Sequence, residues 1–252
     1  MQPLRKGRYE ARTAAQSAEV EAAQALRHLC FFPGQGPGRD ADDLDGRYDH
    51  MLICDHGSGE LVACYRFLVL PSVARITESY SAQFYDLSAL AGRKSAGLVG
   101  PVVEMGRFCR HTDWQDADIL RLAWAAMTRI VDLAGAGLLF GCSSFAGTDP
   151  ARFRDSLAVL AERHLAPPDL APKATAPDHY AFARLLRDHV PDRAKGMQQM
   201  PPLLRSYLMM GGWVSEQAVI DRQMGTHHVF TGLQIAAIPA GRSRLLRALA
   251  EG

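Results

Sequence analysis

The chain has 252 residues, of which 48% are hydrophobic and 22% charged, a composition typical of a globular protein with a sizeable core. Its 28 basic and 27 acidic residues nearly cancel, so no bulk field indicates binding to nucleic acid. The five cysteines are widely spaced and include no CxxC pair, which argues against a zinc ribbon or a disulfide framework and predicts reduced thiols in the cytoplasm. Neither a secretory signal nor a run of ~18 apolar residues is visible, which leaves only peripheral contact with a membrane.

The first half of the chain alternates strand and helix patterns. Residues 8–14 predict a short strand, and the following segment predicts a helix from its apolar positions Val20, Ala23, Leu26 and Leu29. A Gly- and Asp-rich segment, 33–50, predicts a loop. HMLICD and ELVACYRFLVLP, joined by HGSG, predict a β-hairpin. We expect a short helix over SAQFYDLSAL and a strand over GLVGPVVEMGRFCRH.

The second half continues the alternation. DADILRLAWAAMTRIVDLAGAG predicts a helix with Asp116 as N-cap and Gly135 as its end. LLFGCSSFAGTDP predicts a buried strand, ARFRDSLAVLAERHL a helix, and the segment from PPLLRSY onward a helix followed by strands. The interleaved order predicts one α/β domain over residues 1–252, with a mixed, mainly antiparallel central sheet flanked by helices.

Three charged residues occupy strands that are otherwise apolar. Arg66 lies within VACYRFLVL, and Glu104 and Arg107 lie within VVEMGRFCRH. A buried charge is costly unless it is paired, so these residues indicate either an active site or a structural ion pair. Glu104 and Arg107 would point to opposite faces of a regular strand, whereas a bulge at Gly106 would re-aim one of them.

Common catalytic motifs are missing. Gly141-Cys142-Ser143-Ser144-Phe145 lacks the second glycine of the nucleophile elbow GxSxG. No P-loop, GxGxxG or HExxH pattern occurs, and the histidines show no metal-ligand spacing, so no metal site is predicted. In the acidic loop, Asp45 or Asp49 is a candidate to face a cationic group, and an ordinary solvated loop is the alternative.

Three segments in order, EMGRFC, FGCSSFAGTDP and PPLLRSYLMMGGWVSEQAVIDRQMGTHHVF, together resemble the L-ornithine Nα-acyltransferases of ornithine-lipid synthesis and the related enzymes of glutamine-lipid synthesis. The resemblance runs from about residue 8 to about residue 240. It implies a GNAT-like acyltransferase fold with splayed strands, in which 8–150 form the core with the catalytic strand and 151–252 complete the sheet and the acyl and carrier-protein site. Acidic residues followed by a strand arginine and ExxRF are also similar to the acyl-homoserine-lactone synthases.

The resemblance implies transfer of a 3-hydroxyacyl group to the α-amine of ornithine or glutamine. Glu104 would be the general base, and Arg66 and Arg107 would bind the carboxylate of the amino acid or fix Glu104. Asp45 or Asp49 would take the side-chain ammonium of ornithine. Backbone groups of Gly106, Phe108, Ser143 and Ser144 would hold the oxyanion and a pantetheine arm lying between the strand of Glu104 and the strand of Phe140 to Phe145.

The acyl donor implied is acyl carrier protein, with no bound cofactor. Acetyl-CoA-dependent GNAT enzymes hold the pyrophosphate in a Gly-rich loop, and RHTDWQDADI stands here instead, with three aspartates and no glycine. An acidic carrier protein needs a basic surface; the candidates are Arg184, Arg187, Arg193 and Lys195, or Arg242, Arg244 and Arg247, against solvated helix faces as the alternative.

Several alternatives stay open on the sequence alone. An acyl-homoserine-lactone synthase and a non-catalytic acyl-carrier-protein-binding module are the rival functions. Ornithine, glutamine and lysine are not distinguished as acceptors. We expect a cytoplasmic location, with peripheral contact at the inner membrane as the alternative.

Overall fold

The structure is a computed structural model that describes residues 2–92, 98 and 100–251. Its strands in chain order are β1 (Leu4–Lys6), β2 (Tyr9–Thr13), β3 (Asp49–Asp55), β4 (Leu61–Leu70), β5 (Tyr85–Asp86), β6 (Val102–Arg110), β7 (Leu138–Ala146), β8 (Lys173–Ala174), β9 (His179–Tyr180), β10 (Trp213–Asp221) and β11 (Thr226–Gln234). Its helices are α1 (Ser17–Phe31), α2 (Ser88–Ala91), α3 (Ala117–Ala134), α4 (Arg154–Arg163), α5 (Phe182–Leu185), α6 (Arg193–Gln199), α7 (Pro202–Met209) and α8 (Ala240–Glu251).

Most of the predicted elements are confirmed. The hairpin is β3 and β4, the first long helix is α1, and α3 begins and ends as expected. Asp116 accepts a hydrogen bond from the Asp118 amide (2.8 Å), and Gly135 ends the helix in the left-handed conformation. The single helix predicted over SAQFYDLSAL is wrong, because a short turn, β5 and α2 share that segment. Residues 97 and 99 of the predicted strand lie outside the described residues.

The chain divides into two compact units. The first comprises Met1–Val69, Val103–Gly135 and Ala240–Gly252, and the second comprises Leu70–Val102 and Ala136–Pro239. Each combines helices with antiparallel strand pairs. The interpretation of the whole chain as one domain stays a prediction.

The first unit is a sheet with helices on its two faces. Its strand order is β1-β2-β3-β4-β6. On one face, α1 packs through Ala23 and Leu26 onto an apolar cluster that includes Leu52 of β3 and Cys64 of β4. On the other face, the hydroxyl of Tyr65 donates to the carbonyl of Ala123 in α3 (3.4 Å). Neighbouring residues of β4 therefore face different helices, as the period of two requires.

The second unit contains a longer antiparallel sheet. β7 pairs with β11 over nine residues, β11 with β10, and β10 with β9. A break in register between Val214 and Ala218 interrupts the β10–β11 pairing. Buried residues of α4, α5 and α7, among them Leu157, Phe182 and Leu204, pack against β10 and β11. Within the described parts of the chain, no helix is long and apolar enough to cross a membrane.

Substitutions at two glycines test the close packing of α6 on α4. A Cβ at Gly196 would meet the carbonyl oxygen of Asp155 at 2.8 Å, whereas a Cβ at Gly241, in α8, would meet no atom within 4 Å. We predict that Gly196→Ala lowers the free energy of unfolding by about 1–3 kcal/mol because α6 must move away from α4. Gly241→Ala should leave it unchanged or raise it by up to about 1 kcal/mol. Urea denaturation followed by circular dichroism compares the two, and equal effects would contradict the close approach.

Candidate active site

The candidate site lies in the first unit, on the face of the sheet that α1 covers. His50 of β3 is the cross-strand partner of Arg66 in β4, and Leu52 is the partner of Cys64. Because side chains two residues apart share a face, Arg66 and His50 continue the same face as the apolar pair under α1. Both are buried. The sequence thus places a guanidinium beneath a helix, where it requires partners.

Asp45 supplies those partners from the acidic loop. One of its carboxylate oxygens lies 2.7 Å from Arg66, and both oxygens are bound by the guanidinium of Arg27, at 3.0 and 2.6 Å. The side-chain amide of Gln24 donates to the same carboxylate at 2.9 Å. Arg27 and Arg66 are each 1% exposed. Asp45 therefore joins α1 to β4 through two desolvated ion pairs.

Two further aspartates of the loop extend the network toward β6. Asp42 binds Arg66 through both oxygens, at 2.5 and 2.8 Å, and lies 3.4 Å from Arg107. Asp40 lies 3.0 Å from Arg27 and 3.3 Å from Arg107. Three guanidinium groups thus alternate with three carboxylates. The side chain of Asp42 is 29% exposed, the largest exposed fraction of the three aspartates.

Glu104 is bound by a tyrosine that also contacts an arginine of the network. The hydroxyl of Tyr48 donates a hydrogen bond to the Glu104 carboxylate. The Arg66 guanidinium lies over the ring of the same tyrosine, 4.9 Å from the ring centre. Glu104 is 1% exposed and Tyr48 5%. The Tyr48 hydroxyl fixes the orientation of a buried carboxylate and leaves that carboxylate further acceptor capacity.

The backbone of β6 departs from a regular strand at Arg107. Arg107 has a φ of 55° and is, among the described residues, the only one other than glycine with a positive φ. Such a conformation costs on the order of 1 kcal/mol or more. It lets Glu104 and Arg107 both reach the 40–48 loop. Arg107 adjoins Gly106, where the bulge was predicted, and a Cβ at Gly106 would meet no atom within 4 Å. The bulge itself stays a prediction.

The network shifts the pKa values of its members. Burial alone would raise the pKa of Asp45, but the hydrogen bonds from Arg27 and Arg66 outweigh it and hold that pKa well below its usual range. The pKa of Asp42 is lowered in the same way, against the effect of burial, chiefly by Arg66. Burial lowers the pKa of His50, whose Nε2 lies 3.1 Å from the Asp45 carbonyl oxygen. Because a carbonyl only accepts, Nε2 of the neutral ring carries the proton.

The structure brings together some of the predicted site residues and separates others. Arg66, Glu104, Arg107 and Asp45 share the network. Asp49 is exposed at the first residue of β3. The contact of Asp45 with a substrate ammonium stays a prediction, as does that of Asp49.

The predicted backbone positions fall in different units. Gly106 and Phe108 lie on β6 of the first unit, where the ring of Phe108 is 6.4 Å from that of Tyr65. Ser143 and Ser144 lie on β7 of the second unit; Ser143 is buried and accepts from the Thr231 hydroxyl (2.9 Å), and Ser144 is exposed. Their roles toward an oxyanion, pantetheine and splayed strands stay predictions.

The four basic residues predicted to dock a carrier protein lie in the second unit and divide into two pairs. Arg193 and Lys195 are bound internally, to Glu162 and Asp155. Arg184 and Arg187 are exposed and have no ion-pair partner among the residues that the structure describes. Of these four residues, only Arg184 and Arg187 carry a positive charge that no described carboxylate neutralises.

Sequence reasoning missed four members of the site: Arg27, Asp40, Asp42 and Tyr48. Arg27 did leave a signal, because it follows Val20 and Ala23 by seven and four residues and so shares the buried face of α1. Asp40 and Asp42 resemble any turn-forming aspartates of the loop, and Tyr48 stands beside Asp49 with no periodicity to mark it.

The titration of Asp45 provides a test of its buried ion pairs. The lowered pKa of Asp45 contributes stability that is present above about pH 4, the ordinary pKa of aspartate, and is lost as the pH falls toward the folded-state value. We predict that Asp45→Asn lowers the free energy of unfolding at pH 7 by about 3 kcal/mol, because two buried guanidinium groups lose a charged partner. The difference from the parent protein should shrink as the pH falls below about 4.

Asp49→Asn is the matched control, because Asp49 is exposed and should contribute less than about 0.5 kcal/mol. Denaturant titrations at several pH values measure both variants. A pH-independent effect of Asp45→Asn, or an equal effect of the two substitutions, would contradict the buried ion pairs.

The segment that carries this site is similar to a known protein family. An acetyltransferase (GNAT) domain model matches residues 27–125, a span that holds Arg27, the acidic loop, Arg66, Glu104 and Arg107. The predicted GNAT-type α/β class with mainly antiparallel strands is thereby confirmed. A structure of a CoA-dependent acyl-homoserine lactone synthase aligns over 96% of this chain and 88% of its own, at 11% identity and a TM-score of 0.47.

Full-length relatives are more specific. An L-ornithine Nα-acyltransferase of Rhodobacter capsulatus is 34% identical over 237 residues, which cover 88% of each chain. A second, from Brucella abortus, is 30% identical over 249 residues, which cover 93% of this chain and 87% of the relative. With this identity along nearly its whole length, the chain belongs to the L-ornithine Nα-acyltransferase family of enzymes.

Proposed function

We propose that the protein transfers a 3-hydroxyacyl group from acyl carrier protein to the α-amino group of ornithine. The observation that carries this proposal is the buried Glu104 carboxylate, oriented by Tyr48 and set beside an arginine–aspartate network. Such a carboxylate can accept a proton from an amine, directly or through one water molecule. The proposed location is the cytoplasm, with transient contact at the inner membrane when the amphiphilic product leaves.

The reaction removes two protons from the α-ammonium nitrogen, forms one C–N bond and breaks one C–S bond. Glu104 removes a proton from the α-ammonium, and the free amine attacks the thioester carbon to form a C–N bond. The oxyanion would form at the irregular backbone near Gly106 and Arg107, where a backbone amide would donate to it. The C–S bond then breaks, the nitrogen gives its second proton to water as the amide forms, and the pantetheine thiolate takes the first proton from Glu104.

Charge favours ornithine over glutamine as the acceptor. Among the residues that the structure describes, the network and Glu104 together hold four carboxylates against three guanidinium groups, a formal balance of one negative charge. The side-chain ammonium of ornithine would neutralise it, whereas the amide of glutamine would not. Asp42 has the most exposed carboxylate of the loop and is the proposed partner of that ammonium.

The two strand arginines have different proposed roles. Arg66 is fully occupied by Asp42, Asp45 and the Tyr48 ring, so we assign it to positioning. Arg107 makes longer contacts, at 3.3 and 3.4 Å, and its side chain is 14% exposed. Arg107 is therefore the proposed ligand of the α-carboxylate of the amino acid.

The N-terminus of α3 supports a carrier-protein donor. A helix N-terminus binds a pyrophosphate through free backbone N–H groups. Here the Asp116 carboxylate accepts from the Asp118 amide at 2.8 Å, and Asp118 adds a second negative charge in the first turn. A pyrophosphate would have to compete with the Asp116 carboxylate for this helix end, while the pantetheine arm of a carrier protein carries only one phosphodiester.

Product analysis tests the function and the base together. The protein is incubated with 3-hydroxyacyl carrier protein or the matching CoA thioester, and with ornithine, glutamine or lysine in separate reactions, and the products are weighed by mass spectrometry. We predict acyl-ornithine from the carrier-protein donor, and a fall in kcat of ~100-fold or more for Glu104→Gln, because the amide cannot take a proton. A folded Glu104→Gln variant with normal turnover would exclude Glu104 as the base, and lactone products would exclude the proposed reaction.

Carrier-protein docking has its own test at Arg184 and Arg187. Beside these unpaired cations, Leu185 is 52% and Val190 88% exposed, so the segment offers positive charge and apolar contact to an acidic helix. We predict that the Arg184→Glu/Arg187→Glu variant raises KM for the carrier-protein donor ~10-fold and leaves KM for ornithine unchanged.

The matched control is Arg242→Glu/Arg244→Glu, at two exposed arginines of α8 in the other unit. KM for the carrier-protein donor should rise with added salt for the parent protein and lose that dependence in the Arg184 and Arg187 variant. A larger effect from the α8 pair would assign docking to that helix instead.

A further inference from the structure

The last helix of the chain, α8, is held against α3 within the first unit. The guanidinium of Arg129 in α3 donates to the carbonyl oxygen of Ala250, with Nε at 3.0 Å, and Arg247 pairs with Asp132 at 2.9 Å. Two residues three apart in α3 thus meet two residues three apart in α8 in the reverse order. The two helices therefore run antiparallel, and catalysis as proposed uses none of these residues.

α8 buries little of its own apolar surface. It contains three leucines, yet Ala250 is the only buried residue among those described in this helix. Leu245 is 57% exposed. At ~100° per residue, Leu245 lies ~140° around the helix axis from Ala250. Its side chain therefore faces away from the side of α8 that packs on the protein.

A second exposed leucine lies beside α8. Leu133 follows Arg129 by one turn of α3, so it lies on the α3 face that α8 approaches. It is 74% exposed. Because the helices run antiparallel, Leu133 is level with the middle of α8, where Leu245 lies. Single exposed apolar residues are ordinary, whereas two large ones on one helix pair indicate a contact surface.

Positive charge surrounds Leu245. α8 contains three arginines, and its one acidic residue stands at its last position. Arg247 is neutralised by Asp132, whereas Arg242 and Arg244 are exposed and have no ion-pair partner among the residues that the structure describes. Around the helix axis, Leu245 lies between Arg242 and Arg244. The outer side of α8 therefore presents an apolar side chain flanked by two free guanidinium groups.

We propose that the surface formed by Leu133, Arg242, Arg244 and Leu245 binds a bilayer that contains anionic lipids. The guanidinium groups would pair with lipid phosphates, and the leucines would insert at the boundary between headgroups and acyl chains. An acidic protein such as the carrier protein would also attract the arginines. Apolar side chains that protrude from two helices fit the deformable interface of a bilayer better than the firm surface of a folded protein.

Binding at this surface would leave the candidate active site accessible. α3 packs on the sheet face opposite to α1, and the Asp45 network lies under α1. A bilayer bound to α8 and the end of α3 would hold the enzyme at the surface that its amphiphilic product enters, while amino acid and donor reach the other face. The binding rests on exposure and charge, whereas its part in product release rests on the proposed function.

Co-sedimentation of the purified protein with vesicles tests this surface. We expect binding to vesicles of phosphatidylglycerol and phosphatidylethanolamine that is ~10-fold or more stronger than to phosphatidylcholine vesicles. It should weaken as the salt concentration rises from ~0.05 M to ~0.5 M. Arg242→Gln/Arg244→Gln and Leu133→Gln/Leu245→Gln should each lower the partition coefficient ~10-fold or more, since one removes charge and the other the inserted side chains.

The matched controls lie in the second unit. Arg184→Gln/Arg187→Gln removes the same charge, and Leu185→Gln/Val190→Gln removes two exposed apolar side chains. Neither should change vesicle binding by more than about twofold. No binding to the anionic vesicles, or equal losses from the two arginine pairs, would overturn the proposal. An Arg242→Gln/Arg244→Gln variant that retains vesicle binding and has a raised KM for the carrier-protein donor would assign α8 to that protein instead.

Transfer activity, measured without vesicles, separates this proposal from the proposed function. A protein that binds the vesicles and transfers no acyl group would refute the proposed function and leave the lipid surface in place. An active enzyme that does not bind the vesicles would refute the lipid surface alone.

Discussion

The ion pairs of Asp45 with Arg27 and Arg66 are the contact on which the first unit's functional geometry depends. Each guanidinium is desolvated, which is tolerable only because a carboxylate meets it at hydrogen-bond distance. The same carboxylate fixes the acidic loop to a helix and a strand at once. The loop places Asp40, Asp42 and Tyr48 against β6. The orientation of Glu104 therefore depends, through Tyr48 and the loop, on the ion pairs of Asp45.

Exposure divides the charges of this site into two groups. Asp45, Arg27 and Arg66 are enclosed, with every contact made inside the protein. Asp42 and Arg107 bind the same network at its edge, with longer or more exposed contacts. A substrate with separate positive and negative charges, such as an amino acid with a cationic side chain, matches Asp42 and Arg107. The enclosed residues Asp45, Arg27 and Arg66 hold these two in place. The left-handed conformation of Arg107 supports this division, since it turns both Glu104 and Arg107 toward one loop.

The sequence predicted the elements more fully than the site. Periodicity located α1, α3, the β3–β4 hairpin and β6, and the charges in apolar strands located Arg66, Glu104 and Arg107. The partners of those charges come from a loop without periodicity, where Asp42 and Tyr48 are indistinguishable from ordinary turn residues until the chain is folded. A bulge in β6 was expected at Gly106, and the next residue, Arg107, has a backbone conformation that local preference disfavours and a side chain paired with Asp40.

The cap of α3 has a consequence for selectivity in a crowded cell. A helix end with free amides attracts any phosphate compound, including nucleotides and coenzymes present at high concentration. Asp116 occupies one of those amides with a carboxylate of the protein itself, and Asp118 adds a like charge. A small anion at this helix terminus would therefore have to compete with a carboxylate that belongs to the protein itself.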